Sequence, residues 1–144
     1  MNSKKNLKRN LLICLLAGSA VMYTLPLHAA TSVIGNGTLP SGGEVMAGQI
    51  DIPDWARPGG TNPAGNLEMN IIQNSHNGVI KWDSFDIGGS ATVNFRGPQD
   101  FNTLNYVNSG AASQIYGTIN ANNNGNIFIV NPAGVQIGNS AQIN

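Results

Sequence analysis

Cysteine is nearly absent from this chain of 144 residues: Cys14 is the single copy, and it sits in an apolar run close to the start. Everything beyond that run can form no disulfide and carry out no thiolate chemistry, so its stability must come from packing and hydrogen bonds. Histidine is almost as scarce. His76 is the only one outside the first thirty positions, and no H-x-x-x-H or comparable pair exists to hold a metal. His76 reads as a turn residue within "NSHNG". A G-x-S-x-G elbow for a nucleophilic serine is missing, and Gly35-Asn36-Gly37 lacks the third glycine and following helix of a dinucleotide loop. From residue 31 onward three bases, Arg57, Lys81 and Arg96, stand against seven acids, Glu44, Asp51, Asp54, Glu68, Asp83, Asp86 and Asp100, a net charge of −4. Nucleic-acid binding rests on clustered Lys and Arg, so this balance disfavours it.

What the first thirty residues do contain is a basic start, Lys4, Lys5, Lys8 and Arg9, and the short apolar run Leu11 to Val21, followed by Pro26, Ala29 and Ala30. Residues 1–30 read as a secretory signal peptide cut after Ala29 or Ala30. The apolar run is too short to span a hydrocarbon core of ~30 Å, and no second one follows, so no permanent membrane anchor is expected. Ile13 stands where a lipoprotein signal would place a small residue, which argues against a lipid on Cys14.

Beyond residue 30, Asn and Gly abound while Leu, Lys and Glu are scarce, and no window repeats apolar residues at helical spacing. Short alternating runs closed by Gly or Asn recur instead: "GEVMAGQ", "ATVNFRG", "TLNYVNSG", "NIFIVNPAG", "VQIG" and "AQIN" among them. Many short, evenly spaced strands mean an all-β domain. In "ATVNFRG", Val93 and Phe95 share one face and Thr92, Asn94 and Arg96 the other. In "VIKWDSFDIG" the parity changes between Ile80/Trp82 and Phe85/Ile87, and a bend near Asp83 and Ser84 would return all four to one interior. "NIFIV" is apolar on both parities, so that strand is expected to be covered on both sides.

Sandwich, barrel and solenoid are all compatible with such strands, and two observations favour the solenoid. Hairpin signals are few, with Asn77-Gly78 one candidate, and Asn is spread through the turns, where it tolerates left-handed backbone and can stack in ladders between coils. "NPAG" also occurs twice, at Asn62–Gly65 and Asn131–Gly134, a faint internal repeat.

Two acid pairs, Asp51 with Asp54 and Asp83 with Asp86, suit the two-carboxylate chemistry of glycoside hydrolysis. With the phase change above, Asp83 and Asp86 both point to solvent, where solvated corner acids are the simpler reading. No calcium-loop pattern surrounds them. No enzyme activity, metal or cofactor is expected. In "NPAG", Pro132 fixes φ at the second turn position, Gly134 supplies a positive φ, and Asn131 can hydrogen-bond its own backbone.

Three separated blocks, "LPSGGEVMAGQI" (39–50), "GVIKWDSFDIGGSATVNF" (78–95) and "SQIYGTINANNNGNIFIVNPAGVQIGNSAQIN" (113–144), resemble the N-terminal secretion domain of two-partner secretion exoproteins of the filamentous haemagglutinin type. The resemblance implies a right-handed parallel β-helix with short extra strands capping its N-terminal end. It implies passage through the general secretion machinery, then recognition in the periplasm by a partner outer-membrane transporter with periplasmic peptide-binding domains. The family's Asn-Pro-Asn-Gly turn maps onto Asn131, Pro132, Ala133 and Gly134, with Ala133 the departure. An Asn-Pro-Asn-Leu stretch found in some members is not present in that form. Family members usually continue as a long shaft carrying adhesin, haemolysin or contact-dependent toxin activity. Residues 31–144 are therefore expected to be the secretion module, truncated at its C-terminal end, secreted or at the surface of a Gram-negative bacterium. Self-association through an open β-helix edge is a further expectation. The alternative reading is a small carbohydrate-binding or carbohydrate-cleaving β-helix that uses Asp83 and Asp86.

Overall fold

Strands with a period of two, joined by turns rich in Asn and Gly, wind here from corner to corner, and the winding sets which residues reach the surface. The computed structural model describes residues 34–144. The signal-peptide reading, including Cys14 and the cut at Ala29 or Ala30, lies outside them. Eleven strands occur among the described residues: β1 (Glu44–Ala47), β2 (Ile50–Asp51), β3 (Glu68–Gln73), β4 (Asn77–Trp82), β5 (Thr92–Arg96), β6 (Asn102–Val107), β7 (Ser113–Ile115), β8 (Thr118–Ala121), β9 (Asn126–Val130), β10 (Val135–Ile137) and β11 (Gln142–Ile143). One 3-10 turn, Asp54–Ala56, interrupts them.

Parallel pairing runs down three sheets. The first stacks β3, β5, β8 and β11; the second stacks β4, β6 and β9; the third pairs β7 with β10 and is extended by an Ile87–Ile115 bridge. The two coils β5–β7 and β8–β10 each contribute one strand to each face, and the coil before them contributes β3, β4 and the bridge residue Ile87, which makes a parallel β-helix of about 3 turns. Asn77-Gly78 is no hairpin. It opens β4 directly after a corner, and β3 and β4 belong to different sheets because the chain turns onto a new face instead of folding back.

Alternation fills the interior. Met69, Val93 and Ile119 stack in register from coil to coil, as do Ile71 and Phe95, and Ile87 and Ile115. Ile80, Trp82, Phe85 and Ile87 are all fully buried, so the bend at Asp83 does return both parities to one core. Trp82 and Phe85 meet edge to face with ring centroids 5.7 Å apart, an arrangement that adds to their area burial. At the opposite corner the Phe101 ring lies between Gly97 and Gly125. A Cβ on Gly125 would fall 2.1 Å from that ring, so only glycine lets it close the corner.

β1 and β2 run antiparallel to their neighbours, β1 against β4 with Glu44 opposite Lys81, and β2 against β3 with Ile50 opposite Gln73. They occupy the exposed N-terminal edges of the first coil, edges that would otherwise offer unpaired N–H and C=O groups. Leu39, Ile52 and Ala56 are buried beneath them.

Two amide ladders bind the coils from outside. On one corner Asn102 donates to Asn77 (3.0 Å) and Asn126 donates to Asn102 (3.1 Å). On the first sheet's outer face Asn94 donates to Asn70 (3.2 Å), Asn120 to Asn94 (2.8 Å) and Asn144 to Asn120 (2.9 Å). Asn123 and Asn124 take the left-handed conformation at a corner, with φ of 50° and 54°.

β9 departs from the expectation. Ile127 and Ile129 turn inward, but Phe128 and Val130 are 52% and 47% exposed. A single β-helix wall has one interior, so the outer parity has nothing to cover it among the described residues.

Candidate functional site

The turn after β9 is built by local chemistry. The Asn131 carbonyl accepts from the Gly134 N–H (2.9 Å), and its side-chain Oδ1 accepts from the Ala133 N–H (2.9 Å). Gly134 has φ of 107°, a region an L-residue enters only with strain. The Asn131 amide nitrogen points the other way, donating to the Ala111 carbonyl (3.0 Å) and to Ser113 Oγ (3.1 Å) on the preceding coil. Asn131 is therefore buried and pins one corner to the corner before it. Pro132, Ala133 and Gly134 are exposed. The motif divides into a structural asparagine and an accessible Pro-Ala-Gly.

The second "NPAG" stands elsewhere. Asn62–Gly65 precedes β3, at the entrance to the first sheet, whereas Asn131–Gly134 joins the second sheet to the third. The two copies occupy different corners, so they do not mark a coil repeat.

Asp83 and Asp86 do not form a free pair. Asp83 is exposed, but Asp86 is half-buried, and both its oxygens are engaged: Oδ2 accepts from Ser84 Oγ (2.7 Å) and Oδ1 from the Gln114 N–H (2.7 Å). Parity put Asp86 outside, yet the corner folds it against the next coil, where its carboxylate satisfies a backbone donor. Asp51 and Asp54 are exposed, and Asp54 lies 3.4 Å from Arg57. His76 is an exposed bend residue whose carbonyl accepts from the Asn102 N–H (2.8 Å). No group of three or more His, Cys, Asp or Glu side chains gathers among the described residues.

Residues 52–144, well over half of the chain, match the TPS secretion domain family. The chain belongs to that family. A heme/hemopexin-binding protein of Haemophilus influenzae strain Rd is 38% identical over 108 residues, covering 74% of this chain and 10% of the relative. A second heme/hemopexin-binding protein of Haemophilus influenzae is 42% identical over 78 residues, 54% of this chain and 8% of the relative. The chain thus spans about a tenth of the length of the curated relatives it matches. The crystal structure of the HMW1 secretion domain from Haemophilus influenzae superposes with a TM-score of 0.59 at 25% identity, covering 72% of this chain and 25% of that one. In two-partner secretion, TPS secretion domains are recognised by a partner transporter, and the exoproteins that carry them pass the outer membrane of Gram-negative bacteria.

In this TPS secretion domain the residues next to the turn were misjudged by sequence reasoning. Val79, Leu104 and Phe128 form one outward row across the second sheet, and Tyr106 pairs with Val130 in the next. Phe128, Val130 and Tyr106, at 38% exposure, leave an apolar wall that leads straight into Pro132. An exposed apolar patch of this kind marks contact with another surface more often than it marks core. The signal available in sequence was the apolar outer parity of "NIFIV" itself.

Proposed function

We propose that this domain is the secretion signal of a filamentous-haemagglutinin-like exoprotein, delivered to the periplasm by a signal peptide over residues 1–30 and the general secretion machinery. A partner outer-membrane transporter then engages it through periplasmic peptide-binding domains. The contact residues are Pro132 and Ala133, held in place by Asn131 and Gly134, together with the neighbouring Phe128 and Val130. The passenger is an adhesin, haemolysin or contact-dependent toxin, released from the cell or held at its surface. The observation that carries the reading is the division of labour in the turn: Asn131 is spent on the preceding coil while the adjoining Pro132 and Ala133 face solvent.

Export beside the cognate transporter tests it, with release to the medium and periplasmic retention measured separately. Pro132→Ala paired with Ala133→Asp is expected to lower release while signal-peptide processing continues and the fold is kept. Asn131→Ala is expected to lower both release and thermal stability. Unchanged release of the Pro132/Ala133 variant overturns the contact reading.

A further inference from the structure

A shallow groove crosses the corner where the first sheet gives way to the second, about 390 Å³ in volume and lined by Ile72, Asn74, Arg96, Pro98 and Asn122 among others. Its charge is unusual for this molecule. Of the three basic side chains among the described residues, Arg57 sits beside Asp54 (3.4 Å) and Lys81 beside Glu44 (3.6 Å). Arg96 has neither an ion pair nor a side-chain hydrogen bond among the described residues. The asparagines beside it are also partly unspent. Asn122 Oδ1 accepts from the Gly97 N–H (2.9 Å), which leaves its amide nitrogen with hydrogens to donate, and the Asn74 side chain is bonded to nothing described.

Three donors without acceptors, one of them a planar guanidinium, suit a carboxylate, which Arg binds through two parallel N–H···O bonds. The surroundings narrow the class further. Ile72 is directly opposite Arg96 in the strand register and 37% exposed, and Pro98 lies two residues beyond it. The carboxylate's flanks therefore meet aliphatic surface. Asp51 pairs with Ile72 from the other side, which puts an acid two strands, roughly 10 Å, from Arg96 in the same row. A polyanion laid along that row would meet repulsion at Asp51. No aromatic ring lines the groove to support a sugar face.

We propose that this groove binds an acidic peptide segment, with a Glu or Asp carboxylate on Arg96 and neighbouring aliphatic side chains on Ile72 and Pro98. The site is separate from the Asn131–Gly134 turn, and its failure would leave the secretion reading untouched.

The test is a titration of the nitrogen-labelled chain, followed by amide NMR at low ionic strength, with a capped tripeptide of valine, glutamate and valine. Saturable shifts are expected at the amides of Arg96, Gly97 and Asn122. The same tripeptide with glutamine in place of glutamate is expected to bind about fivefold more weakly, the upper range for loss of one exposed ion pair. Arg96→Gln should abolish the difference between the two peptides, and Arg96→Lys should restore part of it. Equal binding of the glutamine peptide would overturn the proposal without reliance on any variant. So would tighter binding of trigalacturonate at the same amides, which would assign the groove to an acidic glycan.

Discussion

Asn105→Leu should be among the most damaging single changes in the molecule although it replaces a polar core residue by an apolar one of similar size. Asn105 is fully buried. Its Oδ1 accepts from the Trp82 indole N–H (2.9 Å), and its amide nitrogen donates to the Phe128 carbonyl (3.2 Å), so one side chain ties β4, β6 and β9 together through the interior. Leucine leaves the indole N–H without an acceptor, at about 1–3 kcal/mol, and removes a second bond worth about 1 kcal/mol. Part of this is offset by the apolar atoms gained, so the net cost is about 2–3 kcal/mol. Trp82→Phe removes the donor instead, and adds a cavity beside Phe85. The double variant has no orphaned group at this pair. Its cost should fall short of the sum of the single costs by about 1–2 kcal/mol, the signature of a directly coupled pair. Urea denaturation followed by far-ultraviolet circular dichroism, at equal protein concentration for all four proteins, measures the cycle. Additivity within about 0.5 kcal/mol would refute the claim that the indole depends on Asn105.

Gly125→Ala should destabilise more than Gly134→Ala despite the positive φ at Gly134. A methyl at position 125 collides with the enclosed Phe101 ring, whereas at 134 the nearest atom, the Ala112 Cβ, is 3.8 Å away and the cost is confined to backbone strain. Thermal melts of the two variants give the order directly, and the reverse order would mean that the Phe101 corner relaxes freely. In the last described coil, β10 and β11 each have a partner strand on one side only among the described residues, and Ile137 and Ile143 are 64% and 58% exposed. In a protein of these 144 residues taken by itself, amides from Gly134 to Asn144 are expected to exchange faster than those from Ala91 to Phe95, and the protein to associate as its concentration rises. Equal protection of the two segments in a strictly monomeric sample would count against an open apolar edge.

Much of the interior was legible because burial in a strand follows parity. Val93 and Phe95, or Ile80 and Trp82, could be placed inward from spacing alone, and the phase change at Asp83 announced a corner. The amide ladders were legible in kind but not in register. Asn77, Asn102 and Asn126 recur at separations of 25 and 24 residues, and Asn70, Asn94, Asn120 and Asn144 at 24, 26 and 24. In a sequence so rich in asparagine that period does not stand out, since corners of unequal length shift it by two residues. Gln73, Thr103 and Asn105 were harder still. Their parity points inward and their polarity outward, and beyond the local bond from Gln73 Nε2 to the Ser75 carbonyl (2.9 Å) it is the register between coils that supplies the partners that make burial tolerable: Thr103 Oγ1 donates to Gln73 Oε1 (2.6 Å), and Gln73 Nε2 to the Asn102 carbonyl (3.1 Å).

β9 and the turn that follows it show where local reasoning stops. Apolar residues on both parities of "NIFIV" satisfy the pattern of a strand covered twice, but a solenoid wall has a single inside. Hydrophobicity left over on the outside is therefore not explained by the wall's own core. The Asn131–Gly134 turn reverses the lesson. Its backbone geometry could be read from four residues, because the Asx bond to the Ala133 N–H and the positive φ of Gly134 are both local. The bonds from the Asn131 amide to Ala111 and Ser113, 20 and 18 residues away, are not local and exist only once the coils have stacked. With both ends of the asparagine side chain spent within the fold, what is left for another molecule to read at this corner is Pro132, Ala133 and the apolar wall beside them.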